Sequence, residues 1–198
     1  MSIIPVSKPQ EKRRDTIARI PSDVLEKYHV ILVGVRGYYR DSMGVVGKND
    51  RSIYDDAIFV LVNNTLPIGA AGDIIDSGEF LSFNANTDPS YSDKQKPDVA
   101  VLSPGIHLYK KGRHRVSNPP SYPAFRPANK EEELPVTRSG KPSMGIAINI
   151  HKGGINGTSS LGCQTIPPDQ WDSFRSTVYM LMDRYEQSVI PYVLTANA

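Results

Sequence analysis

The sequence predicts a mainly β domain with one substantial C-terminal helix and a short N-terminal helix. Three observations carry this expectation. HVILVGVR (29–36) and AIFVLVNN (57–64) are continuous apolar runs of strand length, rich in β-branched residues, as in buried strands. SMGIAINIH (143–151) alternates apolar with small or polar residues, the period of a strand. The stretch after Pro167-Pro168-Asp169 carries a helical stripe, with proline and acid in its first turn.

In chain order, residues 1–19 read as a mobile basic tail, with its sharpest cluster in KPQEKRR, and residues 20–198 as a single domain. Pro21 to Tyr28 reads as a short helix capped by Ser22. The first apolar run follows, then a polar and aromatic connection, then the second run. GEFLSFNAN (78–86) reads as a third strand and TDPSYSDKQKPD as a loop. VAVLSPGIHLYKKGRH suggests a hairpin turning at Pro104-Gly105. Residues 117–142, with six prolines, read as mostly loop with short strands. In 143–151, Met144, Ile146, Ile148 and Ile150 share one face, and Gly145, Ala147, Asn149 and His151 the other. With the isoleucines in the core, Asn149 and His151 face outward or into a cleft. Trp171, Phe174, Val178, Leu181, Met182 and Tyr185 form the core stripe of the helix. SVIPYVLT closes the chain as a strand.

A length of 198 residues fits one domain with a sizeable core. The net charge of +2 is too small to argue for a nucleic-acid surface. No apolar run reaches membrane-spanning length, so no stable membrane insertion is expected. The N-terminus has charges without an apolar stretch after them, unlike a secretory signal, so synthesis in the cytoplasm is expected. Oligomeric state is not legible. A single cysteine excludes an intramolecular disulfide and any multi-cysteine metal site. His107 and His114 stand seven apart with no companion ligand pattern, and neither a P-loop nor a dinucleotide fingerprint occurs. No metal and no cofactor are therefore expected.

The chemistry concentrates in NIHKGGINGTSSLGCQTI (149–166). A free thiol is mostly protonated at neutral pH, and a neighbouring imidazole can take its proton. His151 stands at a strand end, and Cys163 lies beyond a loop of small residues that can bring it back within reach. Gly162 permits unusual torsions, so that backbone N–H groups near Cys163 can aim at a developing oxyanion. Cys163 and His151 are the expected nucleophile and base. Gly153, Gly154, Ser160, Gly162 and Gln164 make the expected oxyanion and substrate loop. Asn149, or a backbone carbonyl, is expected to orient the His151 ring. The bland alternative is a glycine-rich turn around a packed thiol.

These residues resemble the L,D-transpeptidase catalytic domain of the YkuD type. That family carries a His followed by Gly and small hydroxyl residues, and then Ser-His-Gly-Cys. His151 matches its base, and Ser160, Gly162 and Cys163 match its Ser, Gly and Cys. Leu161 stands in place of the second His, and Thr165 in place of an Arg. The resemblance implies a β-sandwich-like fold and attack of Cys163 on a peptidoglycan stem peptide at meso-diaminopimelate. D-alanine then leaves, and an amine or water resolves the acyl-enzyme. Without the Arg, cleavage of stem peptides is expected over cross-link synthesis. RGYYRDSMG, NDRSIYDDAIF and FNANTDPS look like phage or prophage proteins. That suits a wall-active enzyme of the periplasm, an endolysin or toxin delivered by lysis or by a secretion machine.

Arg36, Tyr38 and Tyr54, in the charged and aromatic connection that also holds Arg40, Asp41, Asp55 and Asp56, are candidates for binding a charged peptide, the plain alternative being a surface loop stitched by ion pairs. Asn84 and Asn86 at a strand end suit peptide backbone or a simple turn. Other expectations from the same residues are a non-catalytic phage structural or wall-binding module, and a cysteine hydrolase of another amide.

Overall fold

The computed structural model describes residues 2–64, 78–90 and 99–196; the second part of the expected loop, 91–98, lies outside them. The elements are α1 (Arg13–Ile17), α2 (Ser22–Leu25), β1 (Val30–Arg36), β2 (Asp56–Val62), β3 (Phe80–Ala85), β4 (Val101–Leu102) and β5 (Gly105–His114). Then come β6 (Tyr122–Pro127), β7 (Glu133–Arg138), β8 (Lys141–Ile146), β9 (Ile150–Lys152), β10 (Gln164–Ile166), α3 (Pro168–Arg184) and β11 (Val189–Ala196). The protein is mainly β with a C-terminal helix, as the sequence predicts.

Eight strands form one sheet in the order β10-β9-β6-β5-β11-β1-β2-β3, and β4, β7 and β8 form a second. The large sheet nearly closes on itself. Just past β3, Asn86 exchanges two backbone hydrogen bonds of 2.9 Å with Thr165 of β10. Helix α3 packs against β9 and β10 at one end of the order and against β1 and β3 toward the other. Only a curled sheet lets one helix do this. The predicted stripe Trp171, Phe174, Val178, Leu181 and Met182 is buried there, against Leu32, Phe83, Tyr109 and Phe125. Each such side chain contributes about 1.5–3 kcal/mol by leaving water.

The continuous apolar runs have a simple cause. Alternate residues of β1 and β2 face two different cores: Val30, Leu32, Ile58 and Val60 point to the α3 side, and Ile31, Val33, Phe59 and Leu61 to the other. The second side is covered by Ile17, Ile20, Val24 and Leu25 of the N-terminal segment. The residues read as a tail also lie along the domain. Tyr39 Oη donates to Ser7 O, Ser82 Oγ to Pro9 O, and Tyr54 N to Ile3 O, each at 2.8 Å.

Several local expectations are corrected. Ser22 does not cap α2, which starts after Pro21 with no side-chain cap. Pro104-Gly105 is not a hairpin turn, because β4 pairs with β7 while β5 pairs with β11 and β6. The proline-rich 117–142 region is largely strand. Its prolines fall where no ladder N–H is needed; the carbonyl of Pro135, for example, accepts from Ser103 on the β4 side. The single strand expected over 143–151 is two strands in two sheets. Ala147, at φ +54°, breaks it and resets the alternation. Met144 and Ile146 are therefore 51% and 69% exposed, whereas Ile148 and Ile150 are buried. His151 is buried too, not on an open face.

Candidate functional site

Cys163 ends the glycine-rich loop just before β10, opposite the start of β9. The ladder continues through Gln164 N to Asn149 O at 2.8 Å. The left-handed turn at Ala147 brings two backbone groups to the sulfur. Asn149 N–H donates to Sγ at 3.3 Å, and Sγ–H donates to Ala147 O at 3.5 Å. The turn preceding the thiol is also fixed. Ser160 Oγ accepts from Gly162 N at 3.1 Å and donates to Cys163 O at 2.8 Å. Gly162 has φ +145°, and a Cβ there would sit 2.9 Å from Ala100 Cβ, so glycine is required.

His151 lies on β9, two residues after Asn149, in register with Thr165 of β10. Its Nδ1 is 2.7 Å from Lys152 O, which assigns the proton to Nδ1 and leaves Nε2 with the lone pair. Tyr122 Oη, from β6, stands 3.2 Å from the same nitrogen. His114, from the end of β5, stacks on the ring with centroids 4.0 Å apart and planes 13° apart. Asn149 Nδ2 lies 3.0 Å from His114 Nδ1. Among the described residues, Sγ and the His151 imidazole bond these partners and not each other.

Burial sets the electrostatics. It pushes the Cys163 thiol up to about 11, against the pull of the Asn149 N–H and Ser160. Cys163 is only partly buried by surface, so the sulfur is shielded by packed neighbours while part of the residue reaches solvent. Burial, and then the charge repulsion of His114, holds His151 down at about 3. The resting site is thus a neutral thiol beside a neutral imidazole, not an ion pair.

The other expected site residues hold this arrangement in place. Gln164 is fully buried; its Nε2 donates to Gly162 O, and Tyr192 Oη donates to its Oε1, each at 3.3 Å. Gly153 N–H donates to Ile166 O, and Gly154 O accepts from Tyr54 Oη at 2.8 Å. A Cβ on Gly153 would collide with that hydroxyl, so Tyr54 pins the loop from inside instead of facing a substrate. Tyr38 packs edge-on against Phe59 on the N-terminal side of the sheet and accepts from Gln10 N.

Arg36 is held in a buried acidic cluster. Its guanidinium donates to Thr87 Oγ1, Thr87 O and Leu102 O and lies 3.5 Å from Asp88. Asp56 accepts from Gly37 N and Thr87 N, both at 2.5 Å. Burial and mutual repulsion raise Asp55 and Asp88. Asp56 is raised by burial as well, but with two N–H donors on its oxygens it is the carboxylate that stays ionised. The backbone N–H of Asn84 donates to Gln170 Oε1, and Asn86 Nδ2 donates to Arg51 O and Ile53 O.

Sequence reading missed Tyr122 and His114. Only the pairing of β5 with β6, and of β6 with β9, places them against His151. His107, its seven-residue companion, is instead bound to Ser103 O through Nε2. A surface depression of about 380 Å³ near the end of α3, lined by residues such as Lys111, Met182 and Glu186, includes none of these groups. Among the described residues, no cluster of three or more His, Cys, Asp or Glu side chains is placed to hold a metal ion. No family model matches the chain, and neither a curated protein nor a solved structure matches it.

Proposed function

We propose that the protein is a cysteine-dependent acyl-transfer enzyme, with Cys163 as nucleophile and His151 as base. The observation that carries this reading is the convergence on one short segment. Asn149 N–H holds Sγ, and two residues later a neutral His151 keeps Nε2 unprotonated. In such a site, the S–C bond forms as the Sγ proton passes to Nε2. The resulting imidazolium protonates the leaving amine as the tetrahedral intermediate collapses to a thioester. Water or a second amine then attacks the thioester and releases the thiol. Gly162 N–H is engaged by Ser160 Oγ, so this reading takes Cys163 N–H as the oxyanion donor.

The resemblance of His151, Ser160, Gly162 and Cys163 to the L,D-transpeptidase pattern supports a peptidoglycan stem peptide as substrate and a fold of that type. Thr165 in place of the Arg favours stem cleavage over cross-link synthesis. Action in the bacterial periplasm, after delivery by lysis or secretion, goes with that substrate. The test is mass spectrometry of muropeptides from sacculi incubated with the purified protein. Shortened stems that disappear with Cys163→Ala are expected. Unchanged stems with folded protein overturn the proposed substrate.

One observation favours a second reading, a non-catalytic wall-binding module. The thiol is pushed up to about 11 and has no bond to the imidazole. That reading expects sacculus binding without product.

A further inference from the structure

We propose that His114 is a positioning residue of the Cys163–His151 pair, with a neutral ring that holds the plane of the His151 imidazole and faces the charge formed on it. This rests on the reading of the pair as nucleophile and base. A histidine from another strand can serve a base in two ways: by fixing its ring and by tuning its charge. Lys152 O fixes the His151 tautomer, but it and Tyr122 Oη both meet Nδ1, and contacts at one atom leave the ring free to tilt about it. The parallel contact at 4.0 Å and 13° removes that freedom.

His114 is itself held. Asn149 Nδ2 donates to its Nδ1, which places the ring proton on Nε2 and keeps Nδ1 as the acceptor. Asn149 thus connects the two halves of the site. Its backbone N–H holds Sγ and its side chain holds His114. Tyr122 closes the group, tilted 5.4 Å from His114 and edge-on to His151.

Burial keeps His114 neutral near pH 7, so its repulsion of His151 acts only in acid, where both rings are protonated. Burial lowers it first, followed by Arg115 on its own strand end and Arg126 from β6. Tyr122 on β6 and Cys163 before β10 are the other titratable groups nearby, and burial raises both. Lys152 follows His151 and places its ammonium 5.7 Å over the Tyr122 ring. A cation at His114 would oppose proton uptake by His151, whereas a neutral π face favours the imidazolium.

The test is the rate of Cys163 alkylation by iodoacetamide, read by intact mass from pH 5 to 9 on the full chain. The S–C bond forms, iodide leaves, and the thiol proton passes to His151. His151→Gln gives the unassisted profile. His114→Leu should slow the neutral-pH rate about tenfold or more and take on that unassisted profile. His114→Phe, which keeps a ring face, should stay within about threefold of wild type, and this also guards against a misfolded leucine variant. In the His151→Gln background, His114→Leu should cause no further loss. A wild-type profile in His114→Leu, or an additive loss in the double variant, overturns the role of His114. His151-dependent alkylation without muropeptide products overturns the proposed substrate and leaves His114 standing.

Discussion

The Cys163–His151–His114 group and the Asp55–Asp56–Asp88 group are both buried and polar, yet they meet burial in opposite ways. The acids are tied down around one charged member: Asp56 takes two backbone N–H bonds, and Arg36 is bonded to Thr87 and Leu102 beside Asp88. The thiol and the two imidazoles are neutral, joined by stacking and by single hydrogen bonds. Proton transfer needs a group whose charge can change without breaking the fold. The difference separates a structural clamp from the candidate site of the proposed chemistry, although both are clusters of perturbed groups.

Asp56→Asn should give the largest effect. An amide cannot accept both N–H bonds, and Arg36 loses a nearby charge. We expect a loss of about 3–5 kcal/mol in urea unfolding. The alkylation rate of Cys163, measured under folding conditions, should be unchanged. A loss below about 1 kcal/mol would break the distinction drawn between the clusters.

The pH dependence of stability should differ in sign. His151 is lowered to about 3 in the fold from 6.5, so its contribution is complete above 6.5 and is lost as pH falls toward 3. Asp88 is raised from 3.8 to about 7, so its contribution is complete below 3.8 and is lost as pH rises through 7. The two oppose each other between pH 4 and 6.5, and the wild-type curve is flattened. Variants separate them. The stability of wild type relative to His151→Gln should rise with pH across this window by a few kcal/mol. Relative to Asp88→Asn it should fall. Parallel curves from urea midpoints would mean that one of the two groups does not titrate as its surroundings require.

A smaller effect is expected where the two regions meet. Tyr54, flanking the acids, donates its hydroxyl to Gly154 in the His-to-Cys loop. Tyr54→Phe should cost about 1 kcal/mol, because a partly buried carbonyl loses its donor. It should also expose the loop at Gly153 and Gly154 to faster amide hydrogen exchange while the Asp56 bonds stay protected.

These residues also show what the sequence makes legible. Cys163 and His151 are picked out as candidates by type and spacing, since a lone thiol behind a glycine-rich loop is a local signal. The strands of the two apolar runs and the stripe of α3 are local as well, and the structure has them where the sequence places them. What fails is long-range. Arg36 and Tyr54 look like loop residues available for binding, but their roles depend on contacts with Thr87 and Gly154 far along the chain. His114 is invisible for the same reason: nothing near it in sequence announces that β6 pairs with both β5 and β9 and that the rings of His114 and His151 stack. The 143–151 alternation misleads because one residue, Ala147, takes a left-handed torsion that its identity does not signal.

That torsion supplies the smallest and most selective test. A left-handed alanine is strained by about 1–2 kcal/mol. Glycine removes the strain but adds freedom to the unfolded chain, worth about 0.4–1 kcal/mol the other way. Ala147→Gly should therefore leave stability within about 1 kcal/mol of wild type. Reactivity should respond more. The Ala147 turn presents both partners of Sγ, the 147 carbonyl and the 149 N–H. A looser turn frees the thiol, and alkylation of Cys163 should quicken while the melting temperature barely moves. Equal rates in the two proteins would show that the thiol is held by its own loop, through Ser160 and Gly162, and that the left-handed turn serves only to pass the chain from one sheet to the other.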